Sequence, residues 1–457
     1  MGLFGVLNTA VSGLQAQAFA LQNISGNIAN SQTTAYKGIN TNFIDLIPDQ
    51  PAGEQTSGGV LAGSQSTNTT QGVIQAATVG TFMAINGDGY FTVKQAAAQG
   101  PTGPTFDTSD LYTRRGDFQL NSQGYMVNGA GYYLEGIPID PNSGNPIGSA
   151  LQPLQFNNAF LPSTATSVIT YGANLPSYPQ TTDSNTSVPG SELLDPSTGW
   201  TADPTVSGTG TVIGSDVNEF LNQSIDGGTV TAYDGTGAPA NIQFRWAKTD
   251  TSLTGGTDNW ELFYQTSSTA TGNAVAWQNV GTDFAFNGAG QLSPALSSIN
   301  LGSVTVDGDA LGSVTLSLSG GLTQFSSVNG TVTVNSLSQN GYPAGQLQSL
   351  AVSDSGRITG SFSNGKTVDL AEVPLQTFAN PNALKNLDGG AFQVTGDSGP
   401  PLAGASGSIV GGSLEESNAD IADQFTKLIV TQQAYSANTK VITTANEMSQ
   451  DLLNMIR

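Results

Sequence analysis

Residues 7–28 read LNTAVSGLQAQAFALQNISGNI, and the spacing of their apolar side chains decides the architecture of this end of the chain. The intervals are three or four residues throughout, which is the repeat of a helix with one apolar seam and not the alternation of a strand. Residues 1–36 contain no Asp, Glu, Lys or Arg. The predicted seam consists of Leu7, Val11, Leu14, Ala18, Leu21, Ile24 and Ile28.

This predicted helix is amphipathic without being charged, because its other face carries Gln and Asn. A helix that faces solvent usually carries Glu and Lys pairs on its outer surface. Two placements therefore remain open: docking in the core of its own domain, or packing among copies of itself. The Gln and Asn residues interrupt the apolar run that a membrane span needs, and the basic start of a signal peptide is missing, so we expect neither.

The C-terminal segment repeats the pattern, because apolar residues recur there every seven positions. Ser413 is a predicted N-cap, with Glu415 and Glu416 in the first turn, where the helix dipole favours acidic residues. These features predict a helix of about 40 residues. One heptad helix at each terminus indicates that the two ends pair. The seam is Leu414, Ile421, Leu428, Tyr435 and Ile442, flanked by Phe425, Ala434, Met448, Leu452, Leu453 and Ile456.

Composition excludes several classes of function. The chain of 457 residues has a formal net charge of −22 and contains neither cysteine nor histidine. Disulfides, zinc sites of the Cys/His kind and catalysis by a histidine base are therefore impossible. So acidic a chain is a poor match for nucleic acid or anionic lipid, which bind through clustered Lys and Arg. We expect no enzyme activity, no catalytic residue, no cofactor and no metal site.

The middle of the chain predicts short strands joined by tight turns. Asn-Gly pairs at 86–87 and 128–129 follow apolar bursts, and Asn-Gly is the strongest short hairpin signal, because a type I′ turn needs positive φ at both positions. Further on, 241–246 and 260–264 are predicted to pair around a polar loop.

The order of these patterns predicts an α+β protein with a nested organisation. The N- and C-terminal heptad helices are expected to form a coiled-coil-like inner domain, with nested β-rich outer domains between them. The predicted divisions are 1–34 for the N-terminal helix, 35–71 for a loosely structured connector, 72–170 and 325–412 for two parts of a β-rich middle domain, 171–324 for an inserted outer β domain, and 413–457 for the C-terminal helix.

Three short motifs fit turns better than ligand sites. Residues 360–367 match the P-loop pattern GxxxxGK[ST], but a P-loop needs a helix starting at its lysine, and Pro374 prevents a long one. Asn-Gly at 364–365 fits a hairpin turn instead. The Arg-Gly-Asp tripeptide at 115–117 is explained by paired charges, and Asp-Gly at 307–308 by a turn.

Five short segments at the two ends stand out: 12–17 (SGLQAQ), 27–30 (NIAN), 33–38 (TTAYKG), 414–418 (LEESN) and 432–438 (QQAYSAN). They resemble the signatures of bacterial flagellar axial proteins. The family usually has Gly where Ala35 stands, and often Arg where Gln433 stands. A more specific likeness, to the hook proteins of this family, lies in 340–347 (NGYPAGQL), 363–365 (SNG) and 378–381 (FANP).

The resemblance covers nearly all of the chain outside the acidic insert. It implies a homopolymer: a curved helical tube that acts as a universal joint and passes motor torque to the filament. It also implies the flagellar rod, the hook cap, the hook–filament junction proteins and the type III export apparatus as partners. The expected location is extracellular, in the hook and basal body, reached without a cleaved signal peptide. Another axial protein of the rod or junction, or a secreted β-rich adhesin, remains an alternative.

A contact between copies that does not close on itself produces a helical polymer. The terminal helices would be buried only in such a polymer, so we predict that both ends of the monomer are disordered. The predicted polymerisation residues are Leu7, Val11, Leu14, Leu21, Ile28, Leu414, Ile421, Phe425, Leu428, Tyr435, Ile442 and Leu453.

Overall fold

The computed structural model describes residues 3–46, 58–100, 103–141, 143–156, 160–197, 199–206, 210–404 and 406–455. The chain forms two compact units, one made of Met1–Ala159 with Leu347–Arg457 and the other of Phe160–Gln346. The helices are α1 (Leu3–Ala29), α2 (Val217–Gln223) and α3 (Ile421–Met455), and single 3₁₀ turns lie at Ser252–Thr254, Pro381–Ala383 and Asp388–Gly390.

The strands are short and numerous, as turn-rich sequence between apolar bursts requires. Up to the end of the second unit they are β1 (Ile39–Asp45), β2 (Val60–Ser66), β3 (Ile74–Ala76), β4 (Met83–Asn86), β5 (Phe91–Lys94), β6 (Ala96–Gly100), β7 (Gly103–Phe106), β8 (Leu111–Thr113), β9 (Gln119–Leu120), β10 (Met126–Val127), β11 (Tyr133–Pro138), β12 (Gln152–Pro153), β13 (Phe160–Leu161), β14 (Val168–Leu175), β15 (Thr211–Ile213), β16 (Ile225–Tyr233), β17 (Pro239–Asp250), β18 (Asn259–Gln265), β19 (Val275–Ala285), β20 (Ser298–Val306), β21 (Asp309–Ser317), β22 (Leu322–Gln324) and β23 (Thr333–Gln339). The remaining strands are β24 (Gly345–Val352), β25 (Arg357–Phe362), β26 (Thr367–Glu372), β27 (Gln376–Thr377), β28 (Lys385–Asn386), β29 (Ala391–Gln393), β30 (Leu402–Ala403), β31 (Ser408–Gly411) and β32 (Ser413–Glu415).

The first unit is built on a twisted antiparallel sheet whose main path runs β24-β25-β26-β11-β5-β8-β29-β28. Its main core includes the fully buried Phe91, Leu134 and Ile358. A second buried cluster, around Tyr90, Tyr112 and Phe392, uses alternate residues of the same strands, since successive side chains of a strand point to opposite faces. Strand β4 pairs with β31, and β3 pairs with β32. These two pairings tie the chain after α1 to the chain before α3.

Residues 39–45 and 60–66 form a two-stranded ribbon rather than a loose connector. Strands β1 and β2 are antiparallel over seven consecutive pairs, from Ile39–Ser66 to Asp45–Val60. The ribbon packs on α1, where Asn23 donates to the Thr41 hydroxyl at 2.9 Å. The prediction of a loosely structured connector is therefore wrong for these strands, while residues 47–57 lie outside the described residues.

The second unit is a β-sandwich. One sheet has the order β20-β21-β14-β22 with β23 also paired to β14, and the other has the order β15-β19-β18-β17-β16. Between them lies a core that includes Tyr171, Phe244, Trp246 and Trp260. The far face of the second sheet is covered by α2 and the chain around Leu194, which is why five consecutive residues of β18 are buried.

The boundaries of this unit differ from the predicted insert at 171–324. Strand β14 begins at Val168 and pairs along its length with β23, which extends to Gln339. Both strands therefore belong to the sandwich, and the unit spans 160–346. Composition alone marked the acidic segment, whereas the hydrogen-bonded partners of that segment lie on both sides of it.

The turn predictions have mixed outcomes. The Val127–Tyr133 pair confirms a hairpin around Asn-Gly 128–129, but the positive φ lies at Gly131 and not at those two residues. The turn at 364–365 joins β25 to β26, and β17 pairs with β18. Asp307 and Gly308 both have positive φ in the turn between β20 and β21. The hairpin at 86–87 is wrong, because β4 and β5 are not partners: β4 pairs with the distant β31 instead.

Candidate functional site

The terminal helices α1 and α3 pack against each other in antiparallel orientation. Asn27 donates to the side-chain oxygen of Gln424 at 3.2 Å. About four helical turns away, a Cβ on Gly13 would lie 3.0 Å from the Asn438 amide nitrogen. Both pairs of residue numbers sum to 451, so steps of seven along α1 match steps of seven along α3 in the opposite direction. This register places Ala20 opposite Thr431.

Most side chains that meet between the two helices are small or polar. On α1 the buried positions are Ala10, Gly13, Ala16, Ala20, Ile24 and Asn27. Small side chains let two helix backbones approach closely, and glycine at position 13 leaves room for the amide of Asn438. On α3 the buried positions recur every seven residues, at Gln424, Thr431 and Ala445, with half-buried Asn438 between them.

Asn27 is the polar centre of this contact, with 2% of its surface exposed. Its amide oxygen accepts the Ile39 N–H at 2.9 Å and the Tyr36 hydroxyl at 3.2 Å. Its amide nitrogen donates to the Ile39 carbonyl and to Gln424. One side chain therefore joins α1, the start of the ribbon and α3, and fixes the register between them.

Large apolar side chains of α3 lie outside this contact, in two rows. Spacings of 11, 7 and 7 residues keep the first row on one side of a helix with 3.6 residues per turn. Each member is more than 40% exposed. The first row is Val430, Val441, Met448 and Met455, and the second is Ile421, Phe425, Ile429, Tyr435 and Leu453.

The predicted polymerisation residues therefore divide into groups. Exposed members are Val11, Ile421, Phe425, Tyr435 and Leu453. Half-buried members, which flank the contact between the helices, are Leu7, Leu14, Leu21, Ile28, Leu428 and Ile442. Leu414 is also half-buried, but it lies in β32 and not in a helix.

The C-terminal helix begins at Ile421, and the predicted N-cap at Ser413 is wrong. Ser413 is part of β32, which pairs with β3, and the Ala35 N–H donates to the Glu415 carbonyl at 2.8 Å. These backbone partners lie more than 300 residues away in the sequence. Pairing with them makes residues 413–415 a strand, although the local sequence favours the start of a helix. The Asp423 N–H donates instead to the side chain of Asp420 at 3.0 Å.

Beneath both helices lies a buried cluster of three charged residues. Glu415 accepts from Lys37 at 2.5 Å and lies 3.5 Å from the Arg114 guanidinium, and all three side chains are at most 3% exposed. Lys37 also donates to the Thr70 carbonyl at 2.7 Å, and burial lowers the pKa of Lys37 although Glu415 opposes that change. Arg114 lies over the Tyr90 ring, whose pKa burial raises to about 12.

Ala35 holds the turn that follows α1. Its φ is +55°, in the left-handed region that glycine adopts without strain, and it is buried. The neighbouring Gly38 N–H donates to the Asn418 side chain at 2.7 Å. This backbone conformation explains why a glycine is the usual residue of the resembling family at position 35.

A separate buried acid lies in the sandwich. Glu261 of β18 is 3% exposed and accepts from the Asn279 amide at 2.8 Å. Burial raises the pKa of Glu261 to about 8, and the carboxylates of Asp283 and Asp203 add to that effect. Among the described residues there is no group of three or more acidic side chains that could hold a metal ion.

In the described part of the chain, no helix is long and apolar enough to cross a membrane.

The two charged side chains of the tripeptide Arg115-Gly116-Asp117 pair with each other, because Arg115 donates to both oxygens of Asp117 at 2.8 and 2.9 Å. A Cβ on Gly116 would overlap the Met83 carbonyl, so glycine at this position lets the backbone of residue 116 lie close to that of residue 83. Paired charges, as predicted, account for the motif.

Sequence reasoning missed the charged cluster and the small-residue contact. The signal for the contact was present, since Ala10, Gly13 and Ala20 follow helical spacing beside the large apolar seam. The cluster had no local signal, because Lys37, Arg114 and Glu415 are separated by 77 and 301 residues. Tertiary contacts bring them together: β3 pairs with β32, the Ala35 N–H donates to the Glu415 carbonyl, and Arg114 donates to the carbonyls of Ile85 and Gly87.

Three protein-family models match this chain. They are described as flagellar hook protein FlgE/F/G D1 domain (residues 84–170), flagellar basal body protein FlaE D2 domain (residues 222–342) and flagellar basal body rod FlgEFG protein C-terminal (residues 410–455).

Similar proteins carry consistent names. The flagellar hook protein FlgE of Brucella suis biovar 1 (strain 1330) is 30% identical over 464 residues, which cover 100% of each chain. That of Escherichia coli (strain K12) is 28% identical over 455 residues, 98% of each chain. A crystal structure of the Helicobacter pylori flagellar hook protein FlgE2 aligns with a TM-score of 0.47 and 15% identity, over 73% of this chain and 98% of that one.

Proposed function

This chain belongs to the flagellar hook protein FlgE family, and from that membership we propose how its parts serve a structural subunit of the bacterial flagellar hook. The subunit self-assembles into the curved tube that passes motor torque to the filament. In the proposed arrangement, α1 and α3 form a coiled-coil-like inner domain, and the β-rich units lie outside it. Neighbouring subunits cover the apolar rows of α3.

The observation that carries this proposal is the exposure of large apolar residues on a helix whose intramolecular contact uses small ones. Phe425 and Leu453 are 49% and 66% exposed, whereas Ala20 and Ala445, on the facing surfaces, are almost fully buried. Contiguous exposed apolar surface marks an interaction site. Burial of large apolar side chains contributes most to the stability of a contact, so large side chains left exposed in the subunit are suited to contacts between subunits.

Neighbours of other kinds are part of the proposal. We infer contacts with the flagellar rod at one end of the tube, with the hook–filament junction at the other, and with a cap during growth. Export by the flagellar type III apparatus accounts for a location outside the cell. The absence of cysteine removes the hazard of cross-linking during passage through a narrow channel.

Deletion of residues 1–29 and 421–457 tests the inner-domain role, because it removes both helices and keeps the Lys37–Glu415 pair. We expect a folded, monomeric protein that does not form tubes. A matched full-length variant, Phe425→Ser with Leu453→Ser, should retain its circular dichroism and also lose assembly. Tubes formed by the truncated chain in electron micrographs would refute the proposal, and straight tubes from the intact chain would favour a rod subunit.

A further inference from the structure

The tip of the β1–β2 ribbon exposes apolar side chains that nothing in the described chain covers. Phe43, Ile44 and Leu61 are 45%, 48% and 55% exposed, and Ile44 lies directly opposite Leu61. An isolated two-stranded ribbon is marginally stable in water. A tip of this composition is therefore suited to contact with another surface.

Asp45 gives this tip a charge, and it is the one charged residue of the two strands. Among the described residues, Asp45 has no ion-pair partner. Lys440 of α3 is exposed and likewise has no ion-pair partner in the described part of the chain. Among the residues that the structure describes, at least seven Lys and Arg residues are in ion pairs, so an exposed, unpaired lysine is uncommon in this acidic protein.

The tip and Lys440 lie at one level of the helix pair. The Val60 N–H donates to the Ser12 hydroxyl at 3.2 Å, which places the tip beside Ser12 of α1. The next residue, Gly13, contacts Asn438 of α3. Lys440 follows Asn438 by two residues, or roughly 200° around a helix, and so lies on the side of α3 that faces away from α1.

We propose that the ribbon tip of one subunit docks on the outer face of α3 of a second copy, with Asp45 paired to Lys440. This inference rests on the proposed function and names one contact of the assembly. Because each copy offers the tip on α1 and the lysine on α3, the contact is heterologous, so it continues from one copy to the next as a helical polymer requires. Val441, next to Lys440 in α3 and 42% exposed, supplies an apolar partner at that level of the helix. A cation–carboxylate pair at this point also sets which surfaces meet.

Charge reversal tests the pair in the full-length chain. Asp45→Lys and Lys440→Glu should each raise the critical concentration for seeded polymerisation by about tenfold, since like charges then meet. The double variant should recover most of that loss. Lys385→Glu, at the other exposed lysine without an ion-pair partner among the described residues, is the control and should change little. Unchanged assembly of both single variants, or a double variant no better than the worse single one, would overturn the pair.

Cross-linking gives an independent readout, because the chain contains no cysteine. Subunits carrying Asp45→Cys are mixed with subunits carrying Lys440→Cys, polymerised and oxidised. We expect disulfide-linked dimers from this mixture, and none from Asp45→Cys mixed with Lys385→Cys. If Phe425→Ser with Leu453→Ser abolishes assembly while the charge variants polymerise normally and no dimer forms, the proposed function stands and this contact is rejected.

Discussion

The sandwich of the second unit and the helix pair of the first place their large apolar side chains in opposite ways. In the sandwich, Trp246, Trp260 and Phe244 are fully buried between two sheets. In the helix pair, small residues face inward, and side chains such as Phe425 and Leu453 face outward. The sandwich therefore completes its hydrophobic core within one chain, whereas the helices leave large apolar side chains exposed.

Truncating one large side chain in each region tests this contrast most directly, because the losses of unfolding free energy should differ strongly between the two regions. Trp246→Ala opens the sandwich core and removes the hydrogen bond to Tyr171, so we expect a loss of about 3–5 kcal/mol of unfolding free energy. Phe425→Ser should change the stability of the dilute subunit by less than about 0.5 kcal/mol. Urea unfolding measures both, and equal losses at the two sites would remove the contrast.

The fluorescence signal separates the units, because Trp200, Trp246, Trp260 and Trp277 all lie in the second unit. Circular dichroism at 222 nm reports mainly on α1 and α3.

Removing Glu415 tests how much the buried Lys37–Glu415–Arg114 cluster stabilises the strands next to the helices, which the sandwich does not share. Glu415→Ala leaves Lys37 and Arg114 buried without their carboxylate, and breaking a buried pair in this way costs about 3–5 kcal/mol. The control is Asp423→Ala, which removes an exposed partner of Lys427 and should cost at most about 0.5 kcal/mol. Similar unfolding midpoints for the two variants would show that the buried cluster contributes little.

The buried acid of the sandwich predicts a pH dependence confined to the second unit. The pKa of Glu261 is about 8 in the folded state against 4.5 for a free side chain, so the folded state binds the proton more tightly. Its stabilising contribution is full below pH 4.5 and is lost as the pH rises through 8. The difference between these two pKa values corresponds to a loss of roughly 5 kcal/mol.

Glu261→Gln should flatten this profile, measured as tryptophan fluorescence during urea unfolding from pH 5 to 9. Asp309→Asn, at an exposed position of the same unit, should leave the profile unchanged. A Glu261→Gln profile as steep as that of the parent chain would assign the pH dependence to other groups.

The smallest predicted effect concerns the turn after α1. Ala35→Gly relieves a left-handed alanine, which costs about 1–2 kcal/mol, but glycine loses more backbone entropy on folding. We expect a net gain of about 0.5 kcal/mol. Ala20→Gly, in the middle of α1, should instead destabilise by about 1 kcal/mol. A loss for Ala35→Gly as large as that for Ala20→Gly, followed by circular dichroism, would contradict the strain argument.

The sequence was sufficient wherever structure follows from local backbone preferences. The spacing of Leu7, Leu14 and Leu21 predicted a helix at the N-terminus, and α1 spans Leu3–Ala29. The turns at 307–308 and 364–365 form as predicted, because Asp, Asn and Gly accept the φ values that these turns require. The family signatures at both ends likewise depend on short contiguous segments.

Tertiary structure decided what depends on partners distant in the sequence. Residues 413–415 form a strand because Ile74–Ala76 pairs with them, and Glu415 is buried because Lys37 and Arg114 neutralise it. In the same way, β4 pairs with the distant β31 and not with β5, which follows it in the sequence. Periodicity identifies an apolar side of a helix, but it does not say whether that side meets the same chain or another copy. Here close approach of α1 and α3 required small residues, and that physical requirement turned the large ones outward.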